Sequence, residues 1–136
     1  MNGTDQARQM LVMASKDIKA MKSLLSPESA DDEIFGFHAQ QAVEKSLKAW
    51  ISATGGSYGF VHDIHVLLLS LRELGCDISR FKSLLLLNVY AVRFRYEPLE
   101  MPTNTLDRPE MLGKVSDLYE HAQLAVDAAA ERSIDP

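Results

Sequence analysis

The fold is decided by a stretch of mixed polarity in the first half of the chain, FHAQQAVEKSLKAW at positions 37–50. Its apolar residues recur every three or four positions, which is the period of an α-helix with one buried face. The helical pattern extends from about Glu33 to Thr54, and Gly55 and Gly56 end it. The stretch therefore predicts a long helix that carries both a core-forming face and a polar face.

Helical spacing extends to the rest of the chain. Leu and Ala together number 32, against 18 for the strand-favouring Val, Ile and Thr, and no segment alternates strictly between apolar and polar residues. Four further helices are predicted, over about 7–25, from 62–63 to 74, from 78 to about 95, and from the N-cap Asp107 to about 129. The pattern predicts an all-α, up-and-down antiparallel four-to-five-helix bundle. We expect one domain over residues 1–136, with its core at about 5–132.

The fourth predicted helix is more apolar than a half-buried helix needs to be. Four consecutive leucines, at positions 84–87, cover every side of one helical turn. Either this helix is central in the bundle, or a second subunit covers one of its faces. The periodicity alone does not choose between the two.

Composition restricts the class of protein. A hydrophobic content of 46% in 136 residues is enough for one core, and the single cysteine excludes an internal disulfide or a multi-cysteine zinc site. The net charge of −5 disfavours broad binding to nucleic acid. No apolar run approaches the roughly 18 residues that span a bilayer, and the first residues do not resemble a signal peptide. We therefore expect a cytoplasmic protein without a membrane segment.

Four polar residues spaced one to four positions apart line one side of the second helix: Gln41, Glu44, Lys45 and Lys48. Glu44 and Lys48 have the favourable order for an ion pair between successive turns. Such a row is most often a helix face in contact with solvent, and the spacing favours that interpretation. The alternative is a polar site.

Two histidines flank the start of the third helix, in HDIH at positions 62–65. Their spacing would suit a metal, but no third ligand lies near in sequence, so we predict no metal site and no cofactor. His62 and Asp63 are instead expected to cap the helix and to hydrogen-bond across the bundle. His38 and His121 are isolated on their helices, where we expect them to pack or to lie at the surface.

The end of the fourth helix combines arginines with aromatic residues, in YAVRFRYEP at positions 90–98. Cations are favoured near the C-terminus of a helix, which accounts for Arg93 and Arg95 without a ligand. The alternative interpretation is that, together with Tyr96, they form a surface suited to a phosphate and a stacked base. No glycine-rich phosphate loop accompanies them.

Taken together, these segments resemble the HEPN domain, a small helical domain often found beside minimal nucleotidyltransferases. The resemblance rests on positions 37–49, on HDI at 62–64, and on Tyr90, Arg95 and Tyr96, and it spans about 7–129. It implies a homodimeric helical bundle with a nucleotidyltransferase as protein partner.

The same resemblance bears on activity, because many HEPN proteins are metal-independent RNases of toxin–antitoxin or defence systems. That activity belongs to an Arg and a His separated by four to six residues. Neither Arg93, Arg95 nor any other arginine of this sequence is followed by a His at that spacing. The resemblance therefore implies a branch without the RNase motif, and we expect no catalytic residue.

The predicted polar site has nine residues, which are Gln41, Glu44, Lys45, Lys48, His62, Asp63, Arg93, Arg95 and Tyr96. They form either a buried hydrogen-bonded network that fixes helix register, or a pocket in which Lys45 and Arg95 receive the phosphate of a nucleotide. The sequence favours the network.

The leading hypothesis is a homodimeric binding module that pairs with a nucleotidyltransferase and has a nucleotide as candidate ligand. One alternative is an RNase toxin with a divergent active site, in which Arg93 or Arg95 acts with His62 or His38. The other is a structural oligomerisation domain.

Overall fold

A computed structural model describes residues 3–91 and 106–134, and each of its secondary-structure elements is helical. The α-helices are α1 (Gly3–Ser23), α2 (Asp32–Ala53), α3 (Ile64–Glu73) and α4 (Arg108–Ile134), and a 3₁₀ helix spans Ser79–Tyr90 between α3 and α4. The predicted all-α class is confirmed. The predicted end of the fourth helix, near position 95, lies outside the described residues.

The helix predicted from the opening stretch, α2, is central to the fold, because α1, α3, α4 and the 3₁₀ helix all pack against it. Most of its large apolar side chains, among them Phe35, Leu47, Trp50 and Ile51, are buried. A helix covered on several sides has few positions that face water. The buried polar residues Gln40, Glu44 and Lys48 of α2 accordingly have their hydrogen-bond partners inside the protein.

The fourth predicted helix differs from expectation, since it has the 3₁₀ rather than the α winding. Its buried side chains, Phe81, Leu84, Leu87 and Tyr90, recur every third residue. In a 3₁₀ helix, residues three apart lie directly above one another, whereas an α-helix rotates each by about 60° from the last. The 3₁₀ winding places all four on a single ridge against the core.

The run of four leucines divides between the core and the surface. Leu84 and Leu87 are buried, Leu85 is half-buried, and the side chain of Leu86 is 48% exposed. Val89, three residues after Leu86, is 45% exposed and lies on the same outward ridge. Two of the leucines, Leu84 and Leu87, thus belong to the core of one chain. Leu86 and Val89 form an apolar ridge that faces outward.

Glycine and aspartate residues determine several helix ends. Gly55 follows α2 with a φ of 86°, in the left-handed region that favours glycine. Asp63 Oδ1 accepts the backbone N–H of His65 at 2.8 Å at the start of α3. Asp107 Oδ1 accepts the backbone N–H of Glu110 at 3.0 Å at the start of α4. The sequence-predicted cap residues Asp63 and Asp107 are confirmed.

Tyr90, the last residue of the 3₁₀ helix, packs directly on the backbone of α2. A Cβ atom at Gly36 would lie 2.5 Å from the Tyr90 ring, so only glycine permits this approach. Burial raises the pKa of the Tyr90 phenol, and the neighbouring carboxylates of Asp32 and Glu33 raise it further. The contact positions the end of the 3₁₀ helix, where Asn88 and Ala91 lie close by.

Arg108, at the start of α4, joins that helix to the loop between α1 and α2. Its buried guanidinium donates to the backbone carbonyls of Leu24 (2.8 Å), Ser26 (2.9 Å) and Ala30 (2.7 Å) and forms an ion pair with Asp32 at 3.0 Å. The role of Arg108 could not be predicted from the sequence, because its partners lie more than seventy positions away. Within the described ranges, no helix has the length and apolarity needed to cross a membrane.

Candidate functional site

Two carboxylates, one on α1 and one on α2, each contact a lysine and a histidine. On α1, Asp17 accepts a hydrogen bond from Lys45 Nζ at 2.7 Å, and its other oxygen lies 3.0 Å from His38 Nδ1. Lys45 and His38 both belong to α2. These three residues, termed the Asp17 cluster, therefore tie α1 to α2.

The Glu44 cluster comprises Gln40, Gln41, Glu44, Lys48 and His62. Glu44 Oε2 accepts from Lys48 Nζ at 3.4 Å, and Glu44 Oε1 lies 3.2 Å from His62 Nδ1 and 3.3 Å from Gln40 Nε2. Gln40 Oε1 in turn accepts from Gln41 Nε2 at 2.7 Å, and Gln40 Nε2 lies 3.4 Å from the backbone oxygen of His62. The cluster thus connects α2 with the loop that precedes α3.

The interpretation of the Glu44–Lys48 pair as a solvated helix face is wrong. Glu44 is only 5% exposed and Lys48 only 6%. The Lys48 ammonium lies 5.2 Å from the centroid of the Tyr58 ring, which lies in the loop after α2. The pair is buried because elements pack around α2 on several sides, a property that the spacing within α2 does not reveal.

His62 is the open end of this cluster. Its side chain is 69% exposed although its Nδ1 contacts the buried carboxylate of Glu44. When Nδ1 carries the proton, Nε2 is left as an acceptor. A carboxylate that orients a solvent-accessible imidazole in this way is chemically able to support proton transfer.

Asp63 and Asn88 complete the polar region beside His62. Asp63 Oδ1 accepts from Asn88 Nδ2 at 2.8 Å, and Asn88 Oδ1 accepts from the backbone N–H of Ile64 at 2.9 Å. The hydrogen bond from Asn88, with those from the backbone of α3, lowers the pKa of the Asp63 carboxyl. A hollow of about 420 Å³ lies here, and His62, Asp63, Asn88 and Ala91 line it.

The structure brings together only part of the predicted polar site. Gln41, Glu44, Lys48 and His62 form one cluster, and Asp63 adjoins it through the chain. Lys45 was expected beside them, but it points to α1 and binds Asp17. Consecutive helix positions differ by about 100°, which is why Glu44 and Lys45 face different neighbours. Arg93, Arg95 and Tyr96 lie outside the described residues.

Asp17, Gln40 and Asn88 were not predicted from the sequence. A signal for Asp17 was present, since it falls within the apolar stripe formed by Ala14, Ile18 and Met21 on α1. A carboxylate on a buried stripe needs a partner on the facing helix. Asn88 offers no such signal, because its partners are set by how the 3₁₀ helix meets α3.

His121 lies apart from both clusters, among aromatic rings. Its ring centroid is 4.5 Å from that of Trp50 and 5.4 Å from that of Phe81. Burial lowers the pKa of the His121 imidazole, and the nearby Arg80 lowers it further. No group of three or more His, Cys, Asp or Glu side chains within residues 3–91 and 106–134 is placed to hold a metal ion.

The helices and the buried charged clusters define a small helical-bundle protein. The family model of the HEPN domain matches residues 7–131, nearly the whole chain, and the protein therefore belongs to the HEPN domain family. No curated protein and no solved structure gives a significant match to the chain.

Proposed function

We propose that this HEPN-domain protein is a non-catalytic binding module, a homodimer of up-and-down antiparallel bundles that pairs with a nucleotidyltransferase. The observation that carries the proposal is the outward apolar ridge of the 3₁₀ helix, Leu86 and Val89. Val66 is similarly exposed on α3, which packs against the 3₁₀ helix. Exposed apolar side chains on two helices that pack together suit a protein–protein contact surface. These three residues are termed the α3–3₁₀ face.

The two charged clusters support a scaffold role more than a catalytic one. Both carboxylates have a lysine within 3.4 Å, and the cluster residues connect α2 to α1 and to the loop before α3. Buried polar groups that are paired in this way fix the relative positions of helices. The pairing therefore favours a structural hydrogen-bonded network over a phosphate-binding pocket as the role of Gln41, Glu44, Lys45 and Lys48.

A nucleotide is a secondary element of the proposal. The hollow beside His62 and Asn88 falls within the size range of small-ligand pockets. Saturating ATP at a hundredfold above Kd would raise the free energy of unfolding by about 2.7 kcal/mol. If millimolar ATP caused no thermal shift, nucleotide binding would be excluded, and the structural network would remain as the only role of the polar residues.

The oligomeric state tests the α3–3₁₀ face directly. We expect light scattering at micromolar concentration to give twice the chain mass, and Leu86→Lys to give the monomer mass. Leu124→Lys is the matched control, because Leu124 is an exposed leucine on α4. A wild-type monomer, or a dimer that survives Leu86→Lys, would contradict the assigned dimer surface.

The partner is tested by co-expression with a minimal nucleotidyltransferase, chosen from the genes adjacent to this one if one is encoded there. Native mass spectrometry should show a complex for the wild type and for Leu124→Lys. If no complex forms, the structural oligomerisation domain becomes the better assignment.

A divergent RNase is the second candidate, because His62 is exposed and its Nδ1 is held by Glu44. His38 suits the role less well, since its side chain is only 21% exposed and it contacts Asp17. Purified protein incubated with tRNA or mRNA without metal should leave the RNA intact. Cleavage that is lost in His62→Gln or Arg95→Ala, with the fold retained, would overturn the binding-module proposal.

A further inference from the structure

A second hollow, of about 450 Å³, lies between α1 and α4. Lys19 and Lys22 line it from α1, and Ser116, Tyr119 and Gln123 line it from α4. On each helix the lining residues lie within two successive turns, so the hollow is a groove between two facing helix surfaces. This α1–α4 groove has the size of a small-molecule site.

The groove carries an excess of positive charge in an otherwise acidic protein. Lys19 and Lys22 take part in none of the ion pairs found among residues 3–91 and 106–134. Elsewhere along the same two helices, Arg8 of α1 is neutralised by Asp127 of α4 at 3.1 Å. Glu120 is the one carboxylate among the described residues that line the groove. Two neighbouring ammonium groups repel each other, and a bound anion would relieve that repulsion.

The remaining lining groups suit a phosphate attached to an organic part. The hydroxyls of Ser116 and Tyr119 and the amide of Gln123 are hydrogen-bond donors for phosphate oxygens. The half-buried ring of Tyr119 supplies apolar surface in the same groove, and the largely buried Ile18 lines it as well. A few polar groups beside apolar surface are the usual composition of a small-molecule pocket.

We propose that the α1–α4 groove binds a small phosphate monoester. Its phosphate, with a charge of about −1.5 to −2 at neutral pH, lies between Lys19 and Lys22, and its organic part lies on Tyr119 and Ile18. Glu120 weakens binding by repulsion and limits how much anionic charge the groove accepts. The groove is separate from the α3–3₁₀ face, so either proposal can fail without the other.

Calorimetric titration at low salt with phenyl phosphate tests the site. We expect phenyl phosphate to bind more tightly than inorganic phosphate and the double variant Lys19→Gln/Lys22→Gln to bind it about tenfold more weakly. Glu120→Gln should bind it more tightly, by a few-fold. Lys16→Gln is the matched control, because Lys16 is an exposed lysine of α1 that does not line the groove.

Several outcomes would overturn the assignment. One is the absence of any heat of binding with millimolar phenyl phosphate, and another is an unchanged affinity in the double lysine variant. A third is an equal loss of affinity in Lys16→Gln, because that result would indicate diffuse charge attraction. If inorganic phosphate bound as tightly as phenyl phosphate, the assigned ligand would be free phosphate and not a phosphate monoester. All the substituted side chains are exposed, and unchanged melting temperatures would show that the variants remain folded.

Discussion

The Asp17 and Glu44 clusters use the same chemistry in different surroundings. Each carboxylate contacts one lysine and the Nδ1 of one histidine. In the Asp17 cluster the histidine and the lysine both come from α2 and are largely covered. In the Glu44 cluster the ion pair is more deeply buried than Asp17 and Lys45, yet its histidine is mostly exposed.

This difference separates a structural role from a role open to chemistry. The Asp17 cluster lies between two long helices, and its hydrogen bonds hold α1 against α2. The Glu44 cluster lies under a loop, and it links the protein interior to a solvent-accessible imidazole beside the hollow at Asn88. Substitutions in the two clusters should therefore lower the free energy of unfolding by different amounts.

The largest effect is expected for Glu44→Leu. It leaves the buried Lys48 ammonium without its carboxylate, and breaking a buried pair from one side costs about 3–5 kcal/mol. Urea unfolding measures the loss. The double variant Glu44→Leu/Lys48→Leu should recover most of it, since two apolar residues replace the whole pair. A single variant as stable as the wild type would mean that Lys48 reaches water and that the pair is not buried in solution.

A smaller effect is expected for Asp17→Asn, about 1–2 kcal/mol in the same urea experiment. Its partners Lys45 and His38 retain partial contact with solvent, so water replaces part of the lost interaction. Arg8→Gln is the control for an exposed ion pair, that of Arg8 with Asp127, and should cost no more than about 1 kcal/mol. If Asp17→Asn costs as much as Glu44→Leu, the contrast between the two clusters does not hold.

The smallest effect on the free energy of unfolding is expected from the titration of His121, which lies beside aromatic rings rather than a hydrogen-bonded carboxylate. Burial lowers the pKa of this imidazole in the folded protein, so the unfolded chain binds the proton more readily. The free energy of unfolding should therefore fall as the pH drops below the ordinary histidine pKa of about 6.5. Urea unfolding from pH 7 to 5 should show a shallower fall in His121→Phe, in which His38 and His62 are unchanged. Equal slopes would show that His121 does not contribute.

Local signals predicted the helices and their ends because the atoms involved are neighbours in sequence. Asp63 and Asp107 cap helices through backbone groups two or three residues away. Even the 3₁₀ winding had a local signature, the three-residue spacing of Phe81, Leu84 and Leu87. That spacing stayed hidden because the four leucines occupy both inward and outward positions.

The site was less predictable from sequence. The partners within one helix, Gln40, Glu44 and Lys48, follow from a four-residue spacing. Whether that row faces water or the interior depends on what packs above it, and here Tyr58 and His62 of the following loop do. The side of α2 to which Lys45 points depends likewise on the position of α1.

The sequence by itself determined that this is an all-α chain of the HEPN family, where most helices begin and end, and that no arginine is followed by a histidine after four to six residues. The tertiary structure alone decided that Glu44 and Lys48 are buried, that Asp17 binds Lys45, and that Arg108 joins α4 to the α1–α2 loop. It also decided that a groove is lined by two lysines with no ion-pair partner in the part of the chain that the structure describes. The reason is physical. Helix formation depends on residues within one or two turns, whereas burial and charge pairing depend on surfaces that meet only after the chain has folded.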